Sequence, residues 1–262
     1  MKTVVVTGAA GGMGTAICRR LTDLGWQVFA LDLKTCQLPG VESECCDITD
    51  LPSLEQARDR FAASHDHLDA IVHAAGIYDL DALSEMDDRR FTRIFEINVF
   101  GAARINRLFT PLMGKGGRIT IITSELAPLN PLPFTGIYGI TKTALDKYAY
   151  SLRSELALRG IHVTVIRPGA VNTGLLNVST GALERFCSST QYFAPNARHF
   201  RDIVNRVEAR SVPPEKVAAL AEKSLTAAHP RYVYSLNRNI LLRLMSALPD
   251  HFQIWILKQI LK

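Results

Sequence analysis

Tyr138 and Lys142 are four residues apart, a spacing that places a phenol and an ammonium on the same face of a helix. A phenol with the ordinary pKa of about 10 is a poor acid–base group at neutral pH. A neighbouring cation favours the phenolate, so we expect Lys142 to lower the pKa of Tyr138 toward the working range. Many amphipathic helices carry the same pair only as packing with a solvated amine. Other parts of the chain must therefore decide whether this pair does chemistry.

A glycine-rich turn, Thr7–Gly14, lies where the first predicted strand ends and the first predicted helix begins. Glycines allow a tight turn and let a pyrophosphate approach the backbone at the positive end of the helix dipole. Because the turn follows a strand, opens a helix and precedes an acidic residue near the expected distance, it predicts a dinucleotide site. The candidate cofactor-binding residues of the turn are Gly8, Gly11, Gly12, Met13 and Gly14.

Asp32 closes the second predicted strand, 18 positions after Gly14. A carboxylate there can accept hydrogen bonds from both hydroxyls of an adenosine ribose and would repel a 2′-phosphate, which favours NAD(H) over NADP(H). Nearby Lys34 weakens this preference slightly, and a helix-cap or turn role for Asp32 is the alternative. Asp47-Ile48, after the third predicted strand, is a candidate adenine contact, or else an N-cap or turn before the next helix.

Short apolar strands alternate with helices along the first two-thirds of the chain. This pattern predicts an α/β fold, a doubly wound, Rossmann-like and predominantly parallel sheet of about seven strands with helices on both faces. The predicted strands are Thr3–Thr7, Gln27–Asp32, Val41–Cys46, Asp69–His73, Gly117–Thr123, Ile161–Arg167 and Arg231–Ser235. The predicted helices are Gly14–Leu24, one from about Leu51, about Asp87–Met113, Ile137–Arg159 and one begun by Pro213-Pro214-Glu215.

The composition is that of a folded protein, since 47% of the 262 residues are hydrophobic and 21% are charged. The net charge of +5 suits an anionic cofactor, but the basic residues are scattered, so nucleic acid is not an expected partner. Five cysteines without metal-ligand or redox spacing favour a reduced cytoplasmic protein with no metal site. We expect one domain over residues 1–262, with no secretory signal and no membrane span.

With these pieces placed, the chain is identified as a member of the short-chain dehydrogenase/reductase family, in its compact single-domain branch. The resemblance covers Lys2 to about Thr173 and rests on several motifs in order, of which any one is weak and the ordered set is specific. The motifs are the glycine turn, Asp47-Ile48, Ala74-Ala75-Gly76, Asn98 in INVFG, Ser124 in ITSE, Tyr138-x-x-x-Lys142 and Pro168-Gly169-x-x-x-Thr173.

The resemblance implies catalytic roles for four residues. Tyr138 would be the acid–base group, and Lys142 would lower its pKa and hydrogen-bond the nicotinamide ribose. Ser124 would orient the substrate oxygen, and Asn98 would hold a water that links Lys142 to solvent. Because hydride transfer develops negative charge on a carbonyl oxygen, converging hydroxyl donors suit that chemistry. The structural alternatives are a strand-end cap for Ser124 and a backbone-bonding residue within a helix for Asn98.

The resemblance also extends the cofactor site. Pro168 and Gly169 end the sixth predicted strand, where ligands bind at the carboxyl edge of a parallel sheet, and Val171 and Thr173 would hold the nicotinamide carboxamide. Ala75 and Gly76 join the candidate cofactor-binding residues. Here the family usually has Asn-Asn-Ala-Gly, whereas this chain has His73-Ala74-Ala75-Gly76, so one backbone-bonding amide is missing.

The C-terminal third points to the substrate. Gly174–Ser211 is irregular and predicts either a substrate loop or an ordinary connecting helix pair. Its apolar residues, and those of Pro128–Phe134, could line a pocket for a lipophilic steroid-, retinoid- or acyl-like substrate, or pack into the core. The residues of that segment are Leu175, Leu176, Val178, Leu183, Phe186, Tyr192 and Phe193.

The tail, residues 237–262, contains two apolar stretches, Ile240–Leu248 and Phe252–Leu261. They predict a subunit contact in a homodimer or homotetramer, a pocket cover, or a helix on a membrane surface. The leading hypothesis for the whole chain is an NAD(H)-dependent enzyme that interconverts a secondary alcohol and a ketone. The alternatives are a dinucleotide-binding sensor or scaffold without turnover, and a nucleotide-sugar epimerase or dehydratase, which the short length disfavours.

Overall fold

Parallel strands form the centre of the molecule, in a computed structural model that describes residues 1–208 and 210–262, with only the backbone for 174–180, 207 and 208. Within these residues the sheet has seven strands in the order β3-β2-β1-β4-β5-β6-β7. The strands are β1 (Thr3–Thr7), β2 (Gln27–Asp32), β3 (Val41–Cys45), β4 (Leu68–His73), β5 (Met113–Ile122), β6 (His162–Pro168) and β7 (Val233–Leu236). The strand order reverses between β1 and β4, which confirms the predicted doubly wound class.

Helices follow most strands of the sheet. They are α1 (Gly12–Asp23), α2 (Leu51–Ser64), α3 (Asp88–Phe95), α4 (Gly101–Phe109), α5 (Gly136–Ala157), α6 (Gly174–Ser189), α7 (Ala194–Glu208), α8 (Glu215–Thr226), α9 (Ile240–Ser246) and α10 (Asp250–Ile260). A π-helical segment, Glu96–Phe100, joins α3 to α4. In the described part of the chain, every helix is too short or too polar to span a bilayer.

The two faces of the sheet are buried by different helices, because successive side chains of a strand point to opposite faces. Val4 and Val6 of β1 pack in a cluster with residues of α1 and α8. Val5, between them, packs in a second cluster with residues of α2, α4 and α5. All three valines are fully buried. The helix that carries Tyr138 and Lys142 is thereby fixed against one face of the sheet.

The prediction of one continuous helix over about Asp87–Met113 is wrong. The chain forms α3, the π-helical segment, α4 and a short 3₁₀ turn, Thr110–Leu112, before β5 begins at Met113. Pro111 has no backbone N–H and cannot continue an α-helix, which accounts for the end of α4. The π-helical segment contains Asn98, whose side chain bonds the backbone of another segment.

The segment after residue 173 forms the helix pair α6 and α7, so the helical alternative is the observed one. Leu183 and Phe186 are buried in a third apolar cluster with Phe134 and Phe200, which is the core-packing alternative for these residues. Phe193 lies partly buried against the same cluster, whereas Tyr192 is exposed. The side chains of Leu175, Leu176 and Val178, also predicted to line a pocket, lie outside the described residues.

Candidate active site

The carboxyl ends of the central strands meet at one edge of the sheet, and a cleft runs along this edge. One part of the cleft is lined by the glycine turn and by the residues that follow β2 and β3. The other part is lined by Tyr138, Ser124 and Lys142. Residues 74, 76 and 77, which follow β4, line both parts. Ligands of open α/β sheets bind in this position, at the point where the strand order reverses.

Tyr138, Lys142 and Ser124 come together from two elements. The first two belong to the first two turns of α5, and Ser124 follows the end of β5. The side chain of Tyr138 is hydrogen-bonded to that of Ser124. Lys142 Nζ donates to the carbonyl oxygen of Ile122 at 3.2 Å and lies 5.7 Å from the centroid of the Tyr138 ring. Two hydroxyls and one ammonium therefore converge on one wall of the cavity.

Burial dominates the electrostatics of this group. It raises the pKa of Tyr138 to about 12, although the hydrogen bond with Ser124 acts in the opposite direction. Burial also lowers the pKa of Lys142 to about 8. The expected lowering of the Tyr138 pKa is thus corrected, because desolvation of the phenolate outweighs the favourable interactions. A neutral phenol is the state that a proton donor to a carbonyl oxygen requires.

Asn98 ties the segment after β4 to helix α5. Its amide nitrogen donates to the carbonyl oxygen of Ile77 at 2.9 Å and to Thr141 Oγ1 at 3.1 Å, and its Oδ1 accepts from the Ile77 backbone at 2.8 Å. A Cβ added to Gly76 would lie 3.2 Å from Asn98 Oδ1 and 3.3 Å from Lys142 Nζ. Asn98 thus has the structural role considered above, since its side chain bonds the Ile77 backbone, and it also lies near Lys142.

A buried ion pair behind the site was missed by sequence reasoning. Arg167 donates from Nε and Nη2 to the two carboxylate oxygens of Asp146 at 2.9 and 2.7 Å. Thr123 Oγ1 donates to the same carboxylate at 3.2 Å. These three residues adjoin the functional ones: Thr123 precedes Ser124, Arg167 precedes Pro168, and Asp146 lies one turn beyond Lys142. That adjacency is the only sequence signal that could have identified them.

At two positions of the glycine turn, a side chain would collide with neighbouring backbone atoms. Gly8 has a φ of +67°, and an added Cβ would lie 2.5 Å from the Ala75 backbone nitrogen. A Cβ on Gly14 would lie 2.0 Å from the Gly8 carbonyl oxygen. Gly11, at the N-cap of α1, lines the cavity together with Gly8 and Ala75. The exposed turn and the N-terminus of α1 therefore fit a pyrophosphate, since unpaired backbone N–H groups point out of such an end.

Asp32 lies at the end of β2 and lines the same part of the cleft. Its Oδ2 accepts from the Ala10 backbone at 3.0 Å and its Oδ1 from the Lys34 backbone at 3.2 Å. Asp32 thus fastens the glycine turn and borders the cavity at once. Among the other residues of this wall are three arginines that sequence reasoning did not single out: Arg89, Arg93 and Arg104.

Asp47 and Ile48 also line this part of the cleft, although each has a structural role. Asp47 Oδ1 accepts from the backbone and hydroxyl of Thr49 at 2.8 and 2.7 Å, which is the turn role left open above. The N-cap of α2 is Asp50, whose side chain accepts from the Ser53 backbone. Ile48 packs against Gly101, where an added Cβ would lie 2.6 Å from its Cδ1.

The residues after β6 complete the second part of the cleft. Pro168, Gly169, Val171 and Thr173 all line the cavity of Tyr138, as does Met13 from α1. Thr173 reaches the glycine turn, since a Cβ on Gly12 would lie 2.8 Å from the Thr173 Cβ. The structure therefore brings Gly8, Gly11 and Met13 of the turn and the predicted residues of the segment 168–173 to one cleft, whereas Gly14 is buried beneath the turn.

The chain's C-terminal segment reaches the same cavity. Glu125, the residue after Ser124, accepts a hydrogen bond from the Asn239 backbone at 2.6 Å, and burial raises the pKa of its carboxyl. Leu242 of α9 lines the cavity. This contact corresponds to the pocket-cover interpretation of the tail. Further apolar lining comes from residues that the sequence did not identify individually as pocket residues: Leu126, Phe200, Ile203 and Val204.

His73, which departs from the family pattern, is part of a buried hydrogen-bond chain. Its Nε2 lies 2.9 Å from Asn106 Oδ1, and Asn106 Nδ2 donates to Tyr148 at 3.1 Å. Burial lowers the pKa of His73 to about 4, so the imidazole is neutral at pH 7. It therefore supplies hydrogen bonds rather than a proton at neutral pH.

Comparison with known proteins gives matches along most of the chain. The model of the short chain dehydrogenase family matches residues 2–182. The 1-hydroxy-2-glutathionyl-2-methyl-3-butene dehydrogenase of Rhodococcus sp. (strain AD45) is 32% identical over 67% of this chain and 80% of its own length. The 17-beta-hydroxysteroid dehydrogenase type 1 of Homo sapiens is 27% identical over 94% of this chain and 81% of its own.

A solved structure extends the likeness in fold. The aldohexose dehydrogenase of Thermoplasma acidophilum, in ligand-free form, superposes with a TM-score of 0.77. The superposition covers 95% of this chain and 96% of that one, at 20% sequence identity. At this identity the likeness concerns the fold, including the C-terminal third where the family model no longer matches.

Proposed function

This chain belongs to the short-chain dehydrogenase family of oxidoreductases, and from that premise we propose an NAD(H)-dependent enzyme that interconverts a secondary alcohol and a ketone. The observation that carries the proposal is the convergence of the Tyr138 and Ser124 hydroxyls in a cavity that adjoins the glycine turn. Two donors at one point suit an oxygen that becomes negative during the reaction.

The proposed mechanism assigns one task to each polar group. The nicotinamide supplies or accepts the hydride when bound. Ser124 orients the substrate oxygen, and Tyr138 gives its phenolic proton to that oxygen during reduction or removes it during oxidation. Lys142, held through Ile122, stabilises the phenolate that Tyr138 becomes. Asn98 holds the segment at Gly76 against α5, which fixes the residues that line both parts of the cleft.

Tyr138→Phe tests this mechanism, with Tyr150→Phe as the matched control. Tyr150 lies on the same helix but is 57% exposed. We expect Tyr138→Phe to lower kcat by about 10²- to 10⁴-fold, the usual value of acid–base catalysis, while the Kd for the dinucleotide stays unchanged. Turnover at the control rate would refute the acid–base role. A wild-type protein that binds dinucleotide but turns over no ketone or alcohol in a broad panel would instead be a sensor.

We propose NAD(H) rather than NADP(H) because the Asp32 carboxylate borders the adenosine end of the cleft. A 2′-phosphate beside that carboxylate would meet a like charge. The ratio of kcat/KM with NAD to kcat/KM with NADP should fall about tenfold or more in Asp32→Ala, which corresponds to about 1.4 kcal/mol. Asp50→Ala, which removes only the cap of α2, should leave the ratio unchanged. A wild-type preference for NADPH would overturn the assignment.

The apolar lining of the cavity supports a lipophilic substrate. Residues from the loop after β5, from α7 and from α9 contribute Leu126, Leu132, Phe200, Ile203, Val204 and Leu242. The steroid dehydrogenase named above matches nearly the whole chain, including the segments that carry these residues. A panel of ketones of rising apolar size, with turnover followed by NADH absorbance, tests this. Specificity that falls as apolar surface is added would contradict it.

A cytoplasmic location is part of the proposal. The five cysteines are all free thiols in the structure, which agrees with a reducing compartment. Fractionation of the native host, with the protein detected by antibody, is the measurement, and recovery from an oxidising compartment would contradict it.

A further inference from the structure

The last two helices carry a concentration of exposed apolar side chains. Of the 17 large hydrophobic residues that are strongly exposed in the described chain, eight lie in the 21 residues from Ile240 to Ile260. They are Ile240, Leu241, Leu244, Leu248, Phe252, Ile254, Trp255 and Ile260. Single exposed apolar residues are ordinary on a protein surface, whereas a cluster marks an interaction surface. We call these eight residues the tail patch.

The tail patch cannot be buried by rotating the helices, because their inner faces are already used. Leu242 of α9 lines the active-site cavity. Gln253 of α10 is buried and donates to the Leu248 carbonyl oxygen at 2.7 Å. Leu261 packs in the aromatic cluster around Phe134, and its carbonyl oxygen accepts from Asn196 of α7 at 2.6 Å. The outer faces therefore remain apolar while both helices are anchored.

Basic side chains accompany the tail patch. In residues 237–262 the charged side chains are Arg238, Arg243, Lys258 and Lys262 against a single carboxylate, Asp250. Trp255 and Lys258 follow the spacing i, i+3, which places them on one face of α10, and Lys262 lies two residues beyond the end of that helix. All three are exposed. An indole beside ammonium groups is suited to the headgroup region of a bilayer, where the apolar body is buried and the charges stay in water.

A second copy of the chain fits this surface less well than lipid does. A two-fold contact would place the same surface of each copy against the other. The net positive charge of the two tails would then be brought together, and like charges at short distance repel. Lysine is also depleted in the buried cores of protein interfaces. An anionic lipid surface instead complements both the apolar residues and the positive charge.

We propose that α9 and α10 dock the protein on an anionic lipid surface, with Trp255 at the level of the headgroups. Leu242 on the inner side of α9 then places the active-site cavity next to the lipid. A lipophilic substrate would enter from the membrane, a consequence that rests on the proposed function. The docking itself does not depend on that function.

The two tryptophans of the chain provide a direct test. Trp26 is 7% exposed, whereas Trp255 is 60% exposed, so Trp26→Phe leaves one indole, in the tail patch. We expect its emission to shift to shorter wavelength on addition of phosphatidylcholine vesicles that contain phosphatidylglycerol. The same protein should sediment with these vesicles, and not with phosphatidylcholine alone.

The contribution of charge is measured in a matched pair of double variants. Lys258→Gln/Lys262→Gln should weaken vesicle binding about 25-fold, about fivefold for each cation removed near the surface. Lys115→Gln/Lys147→Gln removes the same charge from exposed lysines outside the tail and should leave binding nearly unchanged. Equal loss in both double variants would overturn the proposal, because it would mean that only net charge matters.

Three further outcomes would also overturn the docking. These are binding to neither kind of vesicle, equal binding to both, and a shift of Trp255 emission without lipid that follows a doubled mass in sedimentation. The last result would assign the tail patch to a second copy. Dinucleotide affinity, measured on the same variants, separates the two proposals. A protein that binds vesicles but no dinucleotide would refute the proposed function, and a protein that binds dinucleotide but no vesicles would refute the docking.

Discussion

The Asp146–Arg167 ion pair joins the three segments that carry the proposed chemistry, and its removal is the most informative perturbation. Asp146 belongs to α5, and Arg167 is the residue before Pro168 at the end of β6. Thr123, the residue before Ser124, donates to the same carboxylate. Asp146→Ala removes the shared acceptor. It leaves a guanidinium whose side chain is only 19% exposed without its partner.

The expected magnitude follows from burial. Removal of one partner of a buried ion pair costs about 3–5 kcal/mol, since the other charge stays uncompensated. Water can reach part of the Arg167 side chain, so we take the lower end, about 3 kcal/mol. For a chain of this size that corresponds to a fall in Tm of about 6–12 °C. The pair Arg60–Glu44 is the control, because the arginine left behind by Glu44→Ala is 57% exposed and stays hydrated, so this variant should cost about 1 kcal/mol or less.

The assay combines urea unfolding with steady-state kinetics. A double-mutant cycle with Arg167→Ala should give a double variant that loses much less than the sum of the single losses. Asp146 joins α5, which carries Tyr138, to the residue before Ser124, and it is not among the residues that line the cavity. We therefore expect its loss to disturb the position of the two hydroxyls, so that kcat falls about tenfold or more while KM changes little. If Asp146→Ala loses no more stability than Glu44→Ala, or if kcat is unchanged, the reasoning is refuted.

Two further predictions concern Gly8 and His73. Gly8→Ala should weaken dinucleotide binding, measured by calorimetry, at least about tenfold. The control is Gly25→Ala, because Gly25 has a similar positive φ but nothing lies within 4 Å of its added Cβ; it should cost only about 1–2 kcal/mol of stability and leave binding unchanged. Equal dinucleotide affinity in the two variants would refute the role of the close contact between Gly8 and the Ala75 backbone. Since the pKa of His73 is lowered to about 4, the unfolded chain alone binds a proton at that site below about pH 6.5, so stability falls as pH falls. Between about pH 7 and about pH 5, the free energy of unfolding of the wild type, measured in urea, should fall by about 2 kcal/mol more than that of His73→Asn. An equal fall in the two proteins would contradict a buried neutral imidazole.

The sheet could be predicted because its signal is local. Apolar runs such as that of β1, fully buried at every position, identify strands, and the glycines between β1 and α1 identify the turn. The approach of Ser124 to Tyr138 followed from the resemblance, since no local pattern specifies the loop between them. The doubly wound class was likewise implied by the alternation of elements rather than by any single residue, whereas the order of the strands became known only from the structure.

What escaped prediction depends on tertiary contacts. Asp146 resembles any charged residue of an amphipathic helix until Arg167 of β6 is placed beside it. The direction of the Tyr138 pKa required knowledge of how deeply the phenol is buried, and a spacing of four residues contains no such information. The cavity residues Ile203 and Val204 became evident only when α7 was packed over the cleft.

The π-helical segment at Asn98 has a consequence for insertions and deletions in this chain. Such a segment accommodates one more residue per turn than an α-helix would, so α3 and α4 are offset in rotation from each other. Deletion of a single residue from Glu96–Phe100 would restore regular i→i+4 hydrogen bonding and remove the wide turn that carries Asn98. Asn98 would then lose either Ile77 or Thr141. The number of residues in this segment, as well as the identity of Asn98, is therefore needed for both contacts.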